Sequence, residues 1–181
     1  MTDATTIERP ANEVWADEAQ AVLETVAANY GGLITHKELG ERIQQQSGVP
    51  AKGLVQRWIS PVLSAVLQRC QDEGNPPLTS LVVAKSDGRV GERYDEVMVA
   101  MGLPKPADSD EREQHAAGSR LECYRQYSGN VPTGARPQLS PTLQNSMDKD
   151  RKLRLSLVQA PRCKTCNVEL SRSGRCDSCD H

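Results

Sequence analysis

Four of the six cysteines fall in the last nineteen residues, as Cys163-Lys164-Thr165-Cys166 and, nine residues on, Cys176-Asp177-Ser178-Cys179. A C-x2-C pair lets two sulfurs of one tight turn face a single ion. Two facing pairs complete a tetrahedron with metal–sulfur distances of about 2.3 Å. Ligand type and spacing therefore predict one Zn2+ held by Cys163, Cys166, Cys176 and Cys179, and four thiolates leave no open position for water, so the ion is expected to be structural. Disulfides are the competing use of such pairs, but the N-terminus is polar and acidic, without the features of a secretory signal, and no run of about 18 apolar residues offers a membrane span. The expectation is a cytoplasmic setting in which thiols stay reduced. A thioredoxin-like redox pair needs a βαβ frame that is missing here, and iron suits the ligand type but is less common at this short spacing. His181 offers the tail a competing ligand, but four Cys already suffice, and Cys70 and Cys123 stand alone and read as small buried hydrophobes.

Other chemistry is sparse. There is no P-loop, no GxGxxG, no G-x-S-x-G and no HExxH, and His36, His115 and His181 have no evident companions. The expectation is a protein without enzymatic activity.

The elements that must position the remaining candidates lie between residues 33 and 94. Thr35 is followed three residues later by Glu38, the spacing of a capping box, so a helix should start at His36, carry Leu39 and Ile43 on one face, and stop near Gly48. A second helical piece follows Val49-Pro50, with Leu54, Val55, Trp58 and Ile59 apolar. Ser60-Pro61 reads as an N-cap with proline at the first helical position, opening a third helix that reaches about Cys70 with Val62, Leu63, Val66 and Leu67 at core spacing. Asn75-Pro76-Pro77 stops it. Residues 78–85 are rich in β-formers, and Ser86-Asp87-Gly88 suggests a hairpin turn. Helix, turn, helix, helix and hairpin is the order of a winged helix-turn-helix, a fold that lays one helix in the DNA major groove.

A resemblance points the same way. Ile34-Thr35 with Glu38-Leu39, then Asn75-Pro76-Pro77-Leu78, Leu81-Val82-Val83 and Asp87-Gly88-Arg89-Val90-Gly91 up to Tyr94, resembles the DNA-binding domain of the O6-alkylguanine alkyltransferase and alkyltransferase-like families. The resemblance implies a winged helix-turn-helix scaffold and a helix facing DNA. It does not imply methyl transfer, because the family's Pro-Cys-His-Arg stretch is matched by Leu-Val-Val-Ala-Lys over residues 81–85, with no thiol to accept an alkyl group. The tail, in turn, resembles the short four-cysteine zinc ribbons. Those often place Gly after each knuckle, where this chain has Asn167 and Asp180.

The rest of the chain frames these modules. Residues 1–12 are expected to be disordered. Residues 13–29 read as an amphipathic helix capped by Asn12, with Val14, Ala19, Val22, Leu23 and Val26 inward, and residues 94–101 as a short helix with Val97, Val99 and Met101 partly buried. Asp108 and Glu111 repeat the capping spacing, so a helix should run from Ser109 to Tyr127 on an inner face of Ala116, Ala117, Leu121 and Tyr124. A winged-helix-like domain over 13–127, a flexible linker over 128–150 rich in Pro and Gly, and a zinc ribbon over 151–181 complete the division. Within the last of these, Leu153, Leu155 and Leu157 alternate with Arg154 and Ser156, as in a short strand. The fold class expected is mainly α with a small β-hairpin.

Charge is uneven: residues 1–30 carry net −5 and residues 131–181 net +4, within a total of −2. With aromatics at 3% and no Phe, the core has to be aliphatic. The first expectation for function is a DNA-binding regulator of transcription or another DNA transaction. Lys52, Gln56 and Arg57 would meet phosphates or base edges of double-stranded DNA. Arg89 and Arg93 would hold the backbone from the wing, and Lys164, Arg172 and Arg175 would add contacts from the ribbon. The second is a protein–protein adaptor using the same two modules, which the acidic first helix and near-neutral centre favour.

Overall fold

The computed structural model describes residues 9–157, 162–170, 174–176, 178 and 179. Among the described residues six α-helices dominate: α1 Ala11–Ala27, α2 His36–Ser47, α3 Val55–Asp72, α4 Asp95–Ala100, α5 Ser109–Tyr127 and α6 Pro141–Leu157, with short 3-10 turns at Leu78–Leu81 and Glu92–Tyr94. Two short strands, β1 Ile34–Thr35 and β2 Val82–Val83, pair in parallel, Ile34 opposite Val82 and Thr35 opposite Val83. The chain divides into two units, Met1–Leu143 and Gln144–His181. No helix among the described residues is long and apolar enough to cross a membrane.

The core of the first unit is mainly aliphatic, with two tryptophans built into it. Trp15, Leu23, Leu39, Ile43, Trp58, Ile59, Val62, Val66, Leu78 and Leu81 are all buried in one cluster. Burying a Val, Leu or Ile side chain is worth about 1.5–3 kcal/mol, so this cluster is the main reason the helices hold together. Gly40 of α2 sets how closely α2 and α3 approach: a Cβ built there would lie 2.5 Å from Val55 Cγ2 and 3.2 Å from the Trp58 ring. Tyr124 of α5 donates its hydroxyl to the carbonyl of Gly32 at 2.8 Å, tying α5 to the chain just before β1.

Local signals in the sequence explain several of these elements. Thr35 accepts the Glu38 amide at 3.2 Å, the Glu38 carboxylate accepts the Thr35 amide at 2.9 Å, and α2 ends on Gly48 at φ 66°. Asp108 caps α5 by accepting the amides of Asp110 and Glu111, while Glu111 reaches back to the amide of Ala107. Ala116, Ala117, Leu121 and Tyr124 are buried, as their spacing predicts, and Cys70 and Cys123 are buried too.

Other expectations are corrected. The first helix begins at Ala11, preceded by Pro10, so Asn12 lies inside it and does not cap it. Ser60-Pro61 starts no helix: α3 runs unbroken from Val55 to Asp72 with Pro61 inside, and Ser60 donates its hydroxyl to the Gln56 carbonyl one turn back. An interior proline costs a helix about 3 kcal/mol. Here the apolar stripe Trp58, Ile59, Val62, Val66 and Leu67 is continuous across it, and the proline ring is on the exposed side. Residues 78–85 do not form a hairpin arm. They form a 3-10 turn and then β2, whose partner is β1. The turn at 86–88 is present, closed by Ala84 N–H to the Arg89 carbonyl at 2.8 Å and Gly88 N–H to the Ala84 carbonyl at 2.9 Å, but it leads to no second strand among the described residues. In α4 the buried residues are Val97 and Met98, whereas Val99, and Met101 just past the end of the helix, are more than half exposed, at 52% and 53%. Residues 141–157 are helical, which replaces both the end of the expected linker and the expected strand over Leu153, Leu155 and Leu157. The segment holds many strong helix formers, and Ser140 caps it by accepting the Leu143 amide at 3.2 Å.

Candidate metal centre and nucleic-acid interface

The sulfurs of Cys163, Cys166, Cys176 and Cys179 all lie within 4.8 Å of one another, Cys166 and Cys176 at 3.3 Å. A tetrahedral ion with metal–sulfur bonds of about 2.3 Å needs sulfur–sulfur separations of about 3.8 Å, so the donor set and its spacing fit a metal. The first knuckle is closed by Cys163 N–H to the Val168 carbonyl at 2.8 Å and Asn167 N–H to the Cys163 carbonyl at 2.9 Å, with Arg162 and Glu169 bridged in antiparallel fashion. Asn167 takes the left-handed conformation at φ 59° in the place where a glycine would be expected, which Asn tolerates better than most residues. The second knuckle has Cys179 N–H donating to the Cys176 carbonyl at 3.2 Å. Backbone amides of Cys166 and Thr165 aimed at the Cys163 sulfur hold its thiol down to about 6, while the sulfurs of Cys166 and Cys176 push Cys179 up to about 12. Four sulfurs this close favour sharing a cation over each holding a proton. Asp180 and His181 lie outside the described residues.

The second candidate surface is the α2–α3 connection. Residues 48–54 are held from three sides: Trp15 donates its indole N–H to the Val49 carbonyl at 3.1 Å, the Val49 amide donates to Ser47 Oγ at 3.1 Å, and the Ala51 amide donates to Gln44 Oε1 at 2.9 Å. Gly53 adopts φ 89°, and the chain then enters α3 through Leu54, whose side chain gives the helix no cap. Lys52, Gln56 and Arg57 are exposed around this end, where no side chain caps the helix and the Arg57 amide donates to the Leu54 carbonyl at 3.0 Å, so a helix N-terminus and two cations share one patch. Arg9, Arg69, Arg89, Arg93, Arg112 and Arg120 each pair with a carboxylate, whereas Lys52 and Arg57 form no ion pair among the described residues.

The remaining predicted contacts are placed differently. Arg89 bonds Asp110 at 2.7 Å and the Ser109 carbonyl at 3.1 Å, so its guanidinium fastens the 84–89 turn to the start of α5. Arg93 is exposed and pairs with Glu96 at 3.3 Å. Lys164 and Arg175 are exposed in the second unit, and Arg172 lies outside the described residues. Sequence reasoning passed over a buried pair: Glu113 and Arg120, 1% and 2% exposed, are joined on α5, and Glu113 also accepts the Val90 amide at 2.9 Å. Its signal was two opposite charges seven residues apart on the stripe of Ala116, Ala117 and Leu121. Tyr94, which the sequence offered only as the end of the stretch carrying the resemblance, is a second buried polar group. Its hydroxyl meets His115 Nδ1 at 3.0 Å and donates to Ser119 Oγ at 2.8 Å, and burial pushes the phenol well above its ordinary value.

No protein-family model, no curated protein and no solved structure matches this chain.

Proposed function

We propose that this chain is a non-enzymatic protein that binds double-stranded DNA through α2 and α3, with a structural zinc ion on Cys163, Cys166, Cys176 and Cys179. The observation that carries the reading is the patch of Lys52, Gln56 and Arg57 around the uncapped start of α3, where the two cations have no carboxylate partner among the described residues. Helix amides and unpaired cations together suit phosphate oxygens, and Gln56 and Arg57 are side chains able to read base edges. The winged helix-turn-helix of the alkyltransferase-like resemblance would use α2 as the supporting helix and α3 as the recognition helix, with the turn at 84–89 in the place of the wing. Zinc is the ion that a set of four cysteines with C-x2-C spacing suits best.

The test is fluorescence anisotropy with a labelled duplex over a salt series. Affinity should fall linearly on a log–log plot against salt, and Lys52→Glu and Arg57→Glu should each weaken binding and reduce the slope by about 0.9 per lost phosphate contact. A slope near zero, or variants that bind as the parent does, would overturn the reading. Leu54, 66% exposed within the same patch, favours protein docking instead, and a salt-insensitive surface would leave that as the better account.

A further inference from the structure

Arg120 is the largest of the fully buried side chains, and it is only partly satisfied. One terminal nitrogen, Nη2, donates to Glu113 Oε1. The other oxygen of that carboxylate is engaged by the amide of Val90. A guanidinium carries five N–H donors, and both Nε and Nη1 of Arg120 are buried without an acceptor. Buried polar groups are paired in the great majority of cases, so two such nitrogens on one side chain ask for a partner.

The surroundings say what kind. Arg120 lines a cavity of about 70 Å³ in the first unit, between the turn after α1, the middle of α5 and the segment that leads to α6. That segment contributes a second guanidinium, Arg136, which is exposed and forms no ion pair among the described residues. Two guanidinium groups and no carboxylate line the pocket. Glu113, outside the lining, balances Arg120 alone, so the pocket keeps a surplus positive charge. Water would satisfy the donors and leave that charge in place, whereas an anion answers both. The remaining wall includes the aliphatic side chains of Leu33, Leu121 and Leu139, and the volume admits only a few water-sized groups. We infer that this pocket binds a small carboxylate, with its head between Arg120 and Arg136 and a short hydrocarbon body against the three leucines. This site is separate from the α2–α3 patch and does not depend on the DNA reading.

The experiment uses the full zinc-loaded chain, labelled with 15N, and follows the arginine Nε–Hε resonances during titration with sodium propionate. Sodium chloride at matched ionic strength and inorganic phosphate are run in parallel. The Arg120 resonance should move saturably with propionate and stay in place with chloride, and phosphate should bind more weakly. Arg136→Gln alters an exposed side chain and should keep the helical circular dichroism of the parent. It should weaken propionate about tenfold, the loss expected for one charge-assisted hydrogen bond. No saturable shift beyond the chloride control, phosphate binding as tightly as propionate, or unchanged affinity in a folded Arg136→Gln protein would each overturn the assignment.

Discussion

The two units of this chain are organised by different forces. In the first, helices are joined by a buried aliphatic cluster, so that Leu23, Leu39, Ile43, Ile59, Val62 and Val66 are each at most 1% exposed. In the cysteine-bearing stretch, Cys176 is the one buried residue among those described, and order there comes from turns that bring four sulfurs to within 4.8 Å of one another. A segment this poor in buried apolar surface cannot offset its ordering entropy by packing. The body should therefore tolerate loss of metal and be sensitive to small volume changes, and the tail should behave in the opposite way.

The largest effect should come from withdrawing the proposed zinc ion. Structural zinc contributes about 10–16 kcal/mol in finger peptides. A strong chelator, or Cys166→Ser, should collapse the amide dispersion of residues 162–170 and of Cys176 and Cys179 and leave the thermal midpoint of the helical body where it was, with one zinc per chain found in the untreated protein by elemental analysis. A body that melted together with the tail would erase the contrast. Next in size is the buried ion pair. Glu113→Ala strands Arg120 in the interior and should cost about 3–5 kcal/mol in urea denaturation, as removal of one partner of a buried pair does. A loss below about 1 kcal/mol would place that pair with surface bridges.

Two smaller substitutions probe how finely the body is packed. Gly40→Ala puts a methyl 2.5 Å from Val55 Cγ2 and should destabilise by about 1–3 kcal/mol. The equivalent change at Gly118, which has no atom within 4 Å of a built Cβ, should be neutral or mildly stabilising, so equal losses at the two sites would contradict the packing account. Smallest is the cap of α2: Thr35→Ala should cost about 1 kcal/mol near neutral pH. The amide and hydroxyl of Thr35 hold the Glu38 carboxyl below its ordinary 4.5. A depressed carboxyl contributes stability that is present above 4.5 and is lost as the pH falls through the folded value. The gap between parent and variant in thermal midpoint should then narrow in acid, and a gap that widened would reverse the sign.

How much of this was readable in advance depends on the range of the interaction. Capping at Thr35 and Asp108 involves atoms three residues apart, and both helices begin where those residues place them. The inner face of α5 follows from its spacing for the same reason. Ser-Pro is as local a signal, yet it had two possible addresses. At Ser60-Pro61 the apolar stripe runs on across the proline and the helix continues, whereas at Ser140-Pro141 no helix precedes it and the pair opens α6. The parallel pairing of β1 and β2 was out of reach, because the partners are nearly fifty residues apart and the hairpin signal at 86–88 offered a nearer solution. The alternation of Leu153, Leu155 and Leu157 misled because a strand with one buried face needs something to cover it, and all three are exposed on a helix. The four cysteines were legible because coordination geometry is written into ligand spacing. The pocket beside Arg120 was not, since it depends on which donors remain unused after the helices have packed.

The chain has two tryptophans, and they sit together: Trp15 and Trp58 have ring centroids 4.8 Å apart and planes inclined at 49°. One is a residue of α3, and the other holds the carbonyl of Val49 at the base of the loop that carries Lys52. Two indoles at this separation couple their strong far-ultraviolet transitions, so the exciton couplet in the circular dichroism of the unlabelled protein is an optical gauge of the Trp15 end of that loop. A displacement of Val49 that shifts the Trp15 ring would register as a change in that couplet, with no dye attached.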